Sequence, residues 1–251
     1  MITLVHISDL HFGTEDPRMA DRLVEELHAL APRLVIVSGD LTQRARRAQF
    51  RAARAYLDRL PPFMVVPGNH DIPLYDAGRR ALSPMGRYRS MITDDLNPFR
   101  LEDDLAVLGL NTTRPQRWKE GSISARQVEL IREVFSRAGP EAHRVLFTHH
   151  PFIPPPEQPR MLVVHGQRDA LPVIRAARVE VLLAGHLHLG YAGMVKGESG
   201  LLSVQAGTAI SRRRRGQPNG YNVVRLGGEG VVVEPRVWDG ERFAEALPTA
   251  G

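Results

Sequence analysis

An α/β fold with a β-rich C-terminal third is what this sequence predicts, on three observations. Short, wholly apolar runs recur, such as Leu34-Val35-Ile36-Val37 and Val181-Leu182-Leu183-Ala184, as expected of strands buried on both faces. Segments with apolar residues at helical spacing lie between such runs, among them Leu23, Val24, Leu27 and Leu30. From Gly190 onward the texture changes to short strands separated by Gly-rich turns, which reads as an antiparallel meander.

Taken in order, Ile2 to Ser8 reads as a strand and Arg18 to Leu30 as a helix closed by Pro32. Leu34 to Val37 is the second strand, Arg44 to Leu60 the second helix, and Phe63 to Val66 the third strand. Strand–helix–strand units this close imply parallel, right-handed crossovers. Residues 72 to 100, with Pro73, Pro84 and Pro98, read as irregular, with a short helix and a loop. Leu105 to Leu110 is a strand, and Ser124 to Arg137 a helix in which Ser124 and Gln127 have the spacing of a capping box. Arg144 to Thr148 and Val181 to Ala184 are further buried strands; Phe152 to Pro159 is too proline-rich for regular structure, and Gln167 to Ala177 is helical. The meander comprises Tyr191 to Lys196, Leu201 to Gln205, Tyr221 to Leu226 and Val231 to Val237, and residues 245 to 251 are expected to fray. One domain over 1–251 is expected, with an α/β part over about 1–190 and a β-rich part over about 191–240.

The chain has no cysteine, which excludes disulfides and thiolate metal sites. No apolar run approaches the roughly 20 residues of a membrane span, and the first residues lack a basic, long-apolar leader, so a cytoplasmic protein without membrane insertion is expected. Net charge is +5, and Lys119 and Lys196 are the only lysines among 33 basic residues. Such a surface favours anionic partners without naming one.

The chemistry lies at the strand ends. Asp9 and His11, Asp40, Asn69 and His70, His149 and His150, and His186 and His188 each follow an apolar run, at the carboxyl edge where open α/β sheets place ligands. The turns should converge at one edge of the sheet. Gly68 in Pro67-Gly68-Asn69-His70-Asp71 is read as the residue that lets the chain turn sharply. In Asp-x-His and His-x-His units, alternate side chains point the same way. Oxygen and imidazole without sulfur suit Mn, Fe or Zn better than Ca. There are more donors than one ion needs, enough for two ions sharing a carboxylate. Two ions about 3.5–4 Å apart neutralise phosphate oxygens and lower the pKa of a bridging water, whose hydroxide attacks phosphorus in line. A nearby His that is not a ligand then protonates the leaving oxygen.

Asp9-x-His11, Gly39-Asp40, Gly68-Asn69-His70-Asp71, His149-x-Pro151 and Gly185-His186-x-His188 resemble, in order, the five signature blocks of the calcineurin-like metallophosphoesterases, over about residues 3 to 190. Within that family the sequence is most similar to bacterial class III cyclic-nucleotide phosphodiesterases and related phosphodiesterases. The resemblance implies a four-layer α-β-β-α sandwich of two mixed sheets flanked by helices, with the C-terminal strands forming much of the second sheet. It implies that Asp9, His11 and His188 hold one metal, that Asn69, His149 and His186 hold the other, and that Asp40 bridges them. His70 contacts the substrate phosphate and protonates the leaving group, and Asp71 orients His70. The implied activity is hydrolysis of phosphodiesters, cyclic nucleotides or similar, with a phosphomonoesterase or nuclease as alternatives. The substrate partner is then a small phosphorylated molecule, with nucleic acid less favoured. Some family members have lost site residues and become binding scaffolds; here no ligand is missing.

Other residues are assigned more lightly. His150, Asn111 and Arg114 are candidates to line the substrate pocket. His6 is expected to be packed in its strand. Arg44, Arg47, Arg51 and Arg54 read as a solvated helix face, and Arg212 to Arg215 as a solvated turn that would favour a polyanionic substrate if it folded over the metals.

Overall fold

The structure is a computed structural model and describes every residue except 118, 156, 157, 159, 196–199, 229 and 247–251. It begins with β1 (Ile2–Ile7), α1 (Pro17–Leu30), β2 (Leu34–Val37), α2 (Arg47–Leu57) and β3 (Phe63–Val65). Pro17 opens α1 and the Asp16 side chain caps it by accepting from the Arg18 amide, so the first turn loses no bond to the missing N–H. Helix α2 starts later than its apolar spacing implied, because Ala45 adopts φ +49° and Arg44 is left outside the helix. Arg47 and Arg51 are exposed, as a solvated face requires, but Arg54 pairs with Asp58 and covers the Phe63 ring.

Two short helices, α3 (Ala77–Leu82) and α4 (Gly86–Met91), and the strand β4 (Phe99–Leu101) occupy the stretch expected to be irregular. Its prolines fall between these pieces. Then come β5 (Leu105–Leu110), α5 (Ala125–Phe135), β6 (His143–Thr148), α6 (Gln167–Ala176) and β7 (Val181–Ala184). The capping box forms as expected: the Gln127 amide donates to Ser124 Oγ at 3.3 Å and the Ser124 amide donates to Gln127 Oε1 at 3.1 Å. The chain ends with β8 (Tyr191–Met194), β9 (Leu202–Gln205), β10 (Gly220–Gly227), β11 (Gly230–Trp238) and β12 (Phe243–Glu245). Parts of the readings for the proline-rich loop, for the end of β8 and for the fraying tail lie outside the described residues.

Two mixed six-stranded sheets result, ordered β12-β11-β10-β1-β2-β3 and β4-β5-β6-β7-β9-β8. The C-terminal strands therefore are not one meander in the second sheet. Strands β8 and β9 extend the second sheet, with β9 parallel to β7, whereas β10 crosses to pair antiparallel with β1. The segment between them, residues 206–219, has to pass from one sheet to the other over their carboxyl edges. It is tied down there by Ala209 N donating to Ser8 O and by Asp16 N donating to Ile210 O.

Alternation along each strand builds the layers. In β1 and β2, Leu4, Leu34 and Ile36 face the second sheet, where they meet Val107, Phe147 and Leu183. Val5, Ile7, Val35 and Val37 face outward onto Leu23, Leu27, Phe50 and Leu57 of α1 and α2. On the other side, Leu108, Leu146 and Leu182 pack with Ile131 of α5 and Ile174 of α6. This is the four-layer sandwich, and its paired sheets explain why so many strands are apolar on both faces.

Candidate metal centre

The five polar turns gather at the carboxyl ends of strands from both sheets, not at one edge of a single sheet. Asp9, His11, Asp40 and Asn69 follow β1, β2 and β3; His149, His186 and His188 follow β6 and β7. The backbone there is strained. Asp9, His11, Asp40, His186 and His188 have φ of +54°, +47°, +52°, +71° and +58°, a region that residues with a Cβ seldom adopt. Gly68 is needed for a different reason from the one its sequence implied. Its φ is −103°, open to any residue, but a Cβ would lie 2.2 Å from both the amide nitrogen and Oδ1 of Asp40. Gly68→Ala is therefore expected to displace the Asp40 turn and lower Tm by several degrees, with reduced metal content by elemental analysis. A variant with unchanged Tm and metal content would refute the close-approach argument.

The donors fall into two groups joined by one residue. One donor atom each from Asp9, His11, Asp40 and His188 lies within 4.8 Å of the others. In that group His11 Nε2 is 3.5 Å from Asp9 Oδ1, 3.6 Å from Asp40 Oδ2 and 3.4 Å from His188 Nε2. In the other, Asn69 Oδ1 is 3.0 Å from both His149 Nε2 and His186 Nδ1. Asp40 belongs to both, since its Oδ1 is 3.4 Å from His149 Nε2. Atoms bonded at about 2.0–2.2 Å to a common ion sit about 3.0–3.6 Å from one another, so these spacings fit metal ligation. Asp9 Oδ1 is buried without a hydrogen-bond partner among the described residues, and such an atom calls for a cation.

Groups behind the donors fix their orientation. Asp9 Oδ2 accepts from Ser8 Oγ and from the His186 amide. His149 Nδ1 faces the Ser38 carbonyl at 2.8 Å, and His188 Nδ1 faces Thr208 Oγ1 at 2.6 Å and the Arg213 carbonyl at 2.9 Å. A ring N–H given to a carbonyl leaves the lone pair on Nε2, as ligation requires. Burial pushes His186 down to about 3, with His149 adding to the effect, and it also lowers His188. The His186 imidazole is therefore neutral and free to ligate. Burial pushes the Asp9 carboxyl up, but His188, His11 and His149 outweigh it and hold the group well below the usual carboxylate range.

His70 lies beside this centre and is not among the clustered donors. Its Nδ1 faces the Gln43 carbonyl at 2.9 Å, and its Nε2 accepts from Arg213 Nη1 at 2.7 Å. Burial lowers its pKa, with Asp40 opposing. Asp71 does not stand behind this imidazole. Its carboxylate accepts from the amides of Leu41, Thr42 and Gly68 and from Thr42 Oγ1, at 2.9 to 3.1 Å. It pins the Asp40 turn to the Asn69 turn, and burial together with Asp40 pushes it up to about 6.

The lighter assignments separate. His150 is 1% exposed, packs 4.6 Å from the His186 ring and meets Thr112 Oγ1 through Nδ1. It offers a donor atom within 4.8 Å of those of His149 and His186, so it clusters with the second donor group, and it does not line the cavity. Arg114 donates to the Asn111 and Thr113 carbonyls, while the Asn111 side chain accepts from the Thr113 amide. Both brace their own loop and stay out of the site. His6 is packed, as expected, against Ser38 Oγ at 2.8 Å. The cavity over the donors, about 510 Å³, is lined instead by Gln43, Arg44, Tyr75, Lys119, Arg213 and Arg215 with Asp40, Asn69, His70, His186 and His188. In the arginine run, Arg212, Arg214 and Arg215 are exposed, as expected of a solvated turn, but Arg213 is half-buried and both Arg213 and Arg215 line the cavity. The sequence signal for them was the arginine run; what it lacked was the crossover that carries the run over the site.

Comparison with known proteins agrees with this geometry. The fold is that of the metallophosphatase sandwich: a purple acid phosphatase from yellow lupin matches with a TM-score of 0.70 at 11% identity, covering 97% of this chain and 52% of that one. The chain belongs to the calcineurin-like phosphoesterase family, whose model matches residues 2–190. A cAMP/cGMP dual specificity phosphodiesterase of Mycobacterium tuberculosis is 30% identical over 205 residues, 74% of this chain and 61% of the relative. A glycerophosphodiester phosphodiesterase of Enterobacter lignolyticus is 28% identical over 203 residues, 74% of this chain and 70% of the relative. The chain thus matches about three fifths of the mycobacterial protein's length. Among the described residues no helix is long and apolar enough to cross a membrane.

Proposed function

We propose that the protein hydrolyses phosphodiesters of small nucleotide-like molecules at a two-ion centre. The observation that carries this is Asp40, whose two oxygens face separate donor groups beneath a cavity that also holds His70. Asp9, His11, His188 and Asp40 would hold one ion, and Asn69, His149, His186 and Asp40 the other, with Mn, Fe or Zn suited to the donors. When bound, such a pair supplies charge neutralisation for the phosphate oxygens and activates water as the nucleophile. The protein's own groups do the rest. Arg213 moves from His70 Nε2 onto a phosphate oxygen as the diester enters, which holds the substrate and opens that nitrogen to the leaving group. Once the guanidinium has left, His70 Nε2 takes up a proton from solvent through its freed lone pair and delivers it to the departing alkoxide. Asp71 keeps the two turns that carry Asp40 and His70 in register. The same reading takes residues 1–251 as one unit acting in the cytoplasm. The names of the two relatives, both phosphodiesterases, favour diesters over monoesters.

The test is hydrolysis by metal-stripped protein after adding back Mn, Zn, Fe or Mg. An aryl phosphodiester is offered beside an aryl phosphomonoester, then 2′,3′- and 3′,5′-cyclic nucleotides. Metal-dependent diester cleavage is expected; faster cleavage of the monoester would replace the reading with a phosphomonoesterase. Metal removal should also lower Tm. A ligand at a hundred times its Kd stabilises by about 2.7 kcal/mol, and a protein of this size shifts about 2–4 °C per kcal/mol. A fall of about 5–10 °C on chelation, reversed by metal, is the expected scan.

A further inference from the structure

The cavity over the metal centre carries more positive charge than a diester needs. Arg44, Lys119, Arg213 and Arg215 all line it, and among the described residues Asp40 is the only carboxylate in its lining. Among the described residues none of Arg44, Lys119 and Arg215 has a carboxylate within 4.0 Å, whereas the neighbouring Arg212 is 3.9 Å from Asp16. Two divalent ions against two carboxylates already supply the positive charge that a singly charged diester and its hydroxide nucleophile need. Arg213 has a use at His70; the other three cations have none in the reaction itself. Leaving uncompensated cations around one cavity is unfavourable through mutual repulsion, and an anionic ligand relieves it. The rim adds a second feature. Tyr75 is 80% exposed, with the Arg44 guanidinium 5.1 Å from its ring centroid, and Leu162 beside it is 53% exposed. An exposed aromatic ring backed by a guanidinium is a stacking platform for a nucleobase.

We propose, resting on the phosphodiesterase reading, that the substrate is a small nucleotide diester bearing at least one phosphate besides the scissile one. Lys119, Arg44 and Arg215 take the additional phosphate and Tyr75 takes a base. The cavity's size is that of a small-molecule site, about 300–1,000 Å³. Of the α2 arginines, Arg54 is held by Asp58, while Arg47 and Arg51 are exposed and do not line the cavity.

The experiment compares a diadenosine 3′,5′-diester with and without a 5′-terminal phosphate, two molecules that share the scissile bond. The metal-loaded protein is expected to favour the phosphorylated form in kcat/KM by about 10- to 100-fold, the worth of one or two charge-assisted hydrogen bonds. That preference should shrink with added salt. Lys119→Gln and Arg215→Gln should each reduce the ratio, and their combination should bring it near one; Tyr75→Ala should raise KM for both. Calorimetric binding of the two dinucleotides to metal-stripped protein gives a readout independent of turnover and is expected to keep the same preference. A ratio near one for the unmodified protein, or one that the variants leave unchanged, overturns the proposal. So does a kcat/KM that keeps rising with oligonucleotide length, which would indicate a nucleic-acid strand. If neither dinucleotide nor any simple diester is hydrolysed while the binding preference holds, the phosphodiesterase reading fails and the anion site stands.

Discussion

Asp40→Ala should lower metal-dependent diester hydrolysis by on the order of 10³-fold or more, the scale of losing one preorganised electrostatic group. The effect is expected to be large because the side chain cannot be replaced from elsewhere. Asp40 is 1% exposed, and its two oxygens lie 3.6 Å from His11 Nε2 and 3.4 Å from His149 Nε2. Each donor group retains other ligands without it, but among the described residues no other side chain offers an oxygen to each group. Asp40 Oδ1 also accepts from the His70 amide at 2.8 Å, so alanine leaves a buried donor unpaired and loosens the turn that carries His70. Elemental analysis should show the variant falling from two ions per chain to one or none. Two ions retained would mean that Asp40 is not the shared ligand.

The second large effect is that of His70→Ala, and its signature is dependence on the leaving group. For a substrate with a poor leaving group, such as an alkyl nucleoside ester, loss of general acid catalysis should cost about 10²- to 10⁴-fold in kcat. For an aryl diester, whose phenolate departs without help, the loss should be much smaller. A structural role would slow both alike, which separates the two explanations. Metal content should not change, because the His70 nitrogens face Gln43 O and Arg213 rather than the donor groups. Equal losses on both substrates would refute the acid role.

The residues that were legible in the sequence are those whose position depends on local pattern. The apolar runs at Leu34–Val37 and Val181–Ala184 marked strands because each is covered on both faces by packed layers. The metal-type donors were visible because alternation and strand ends place them without any knowledge of which sheet a strand joins. What could not be read is non-local pairing. Strands β8 to β12 are alike in composition, and no residue among them announces that β9 joins β7 while β10 joins β1. The position of the arginine run followed from that choice and was lost with it. Asp71 illustrates a different limit. A carboxylate next to a histidine in sequence invites pairing, but in the single turn of Asn69–Asp71 adjacent side chains diverge. The free amides of Leu41 and Thr42 lay closer.

Residue 213 meets the site twice, and the two contacts differ in kind. Its carbonyl receives His188, a contact any amino acid can make; its guanidinium reaches His70, a contact only arginine makes in this way. The crossover thus separates what must stay fixed from what is free to vary. Substitutions at 213 and 215 can retune which phosphate compounds are accepted while the scaffold beneath keeps its ligand geometry.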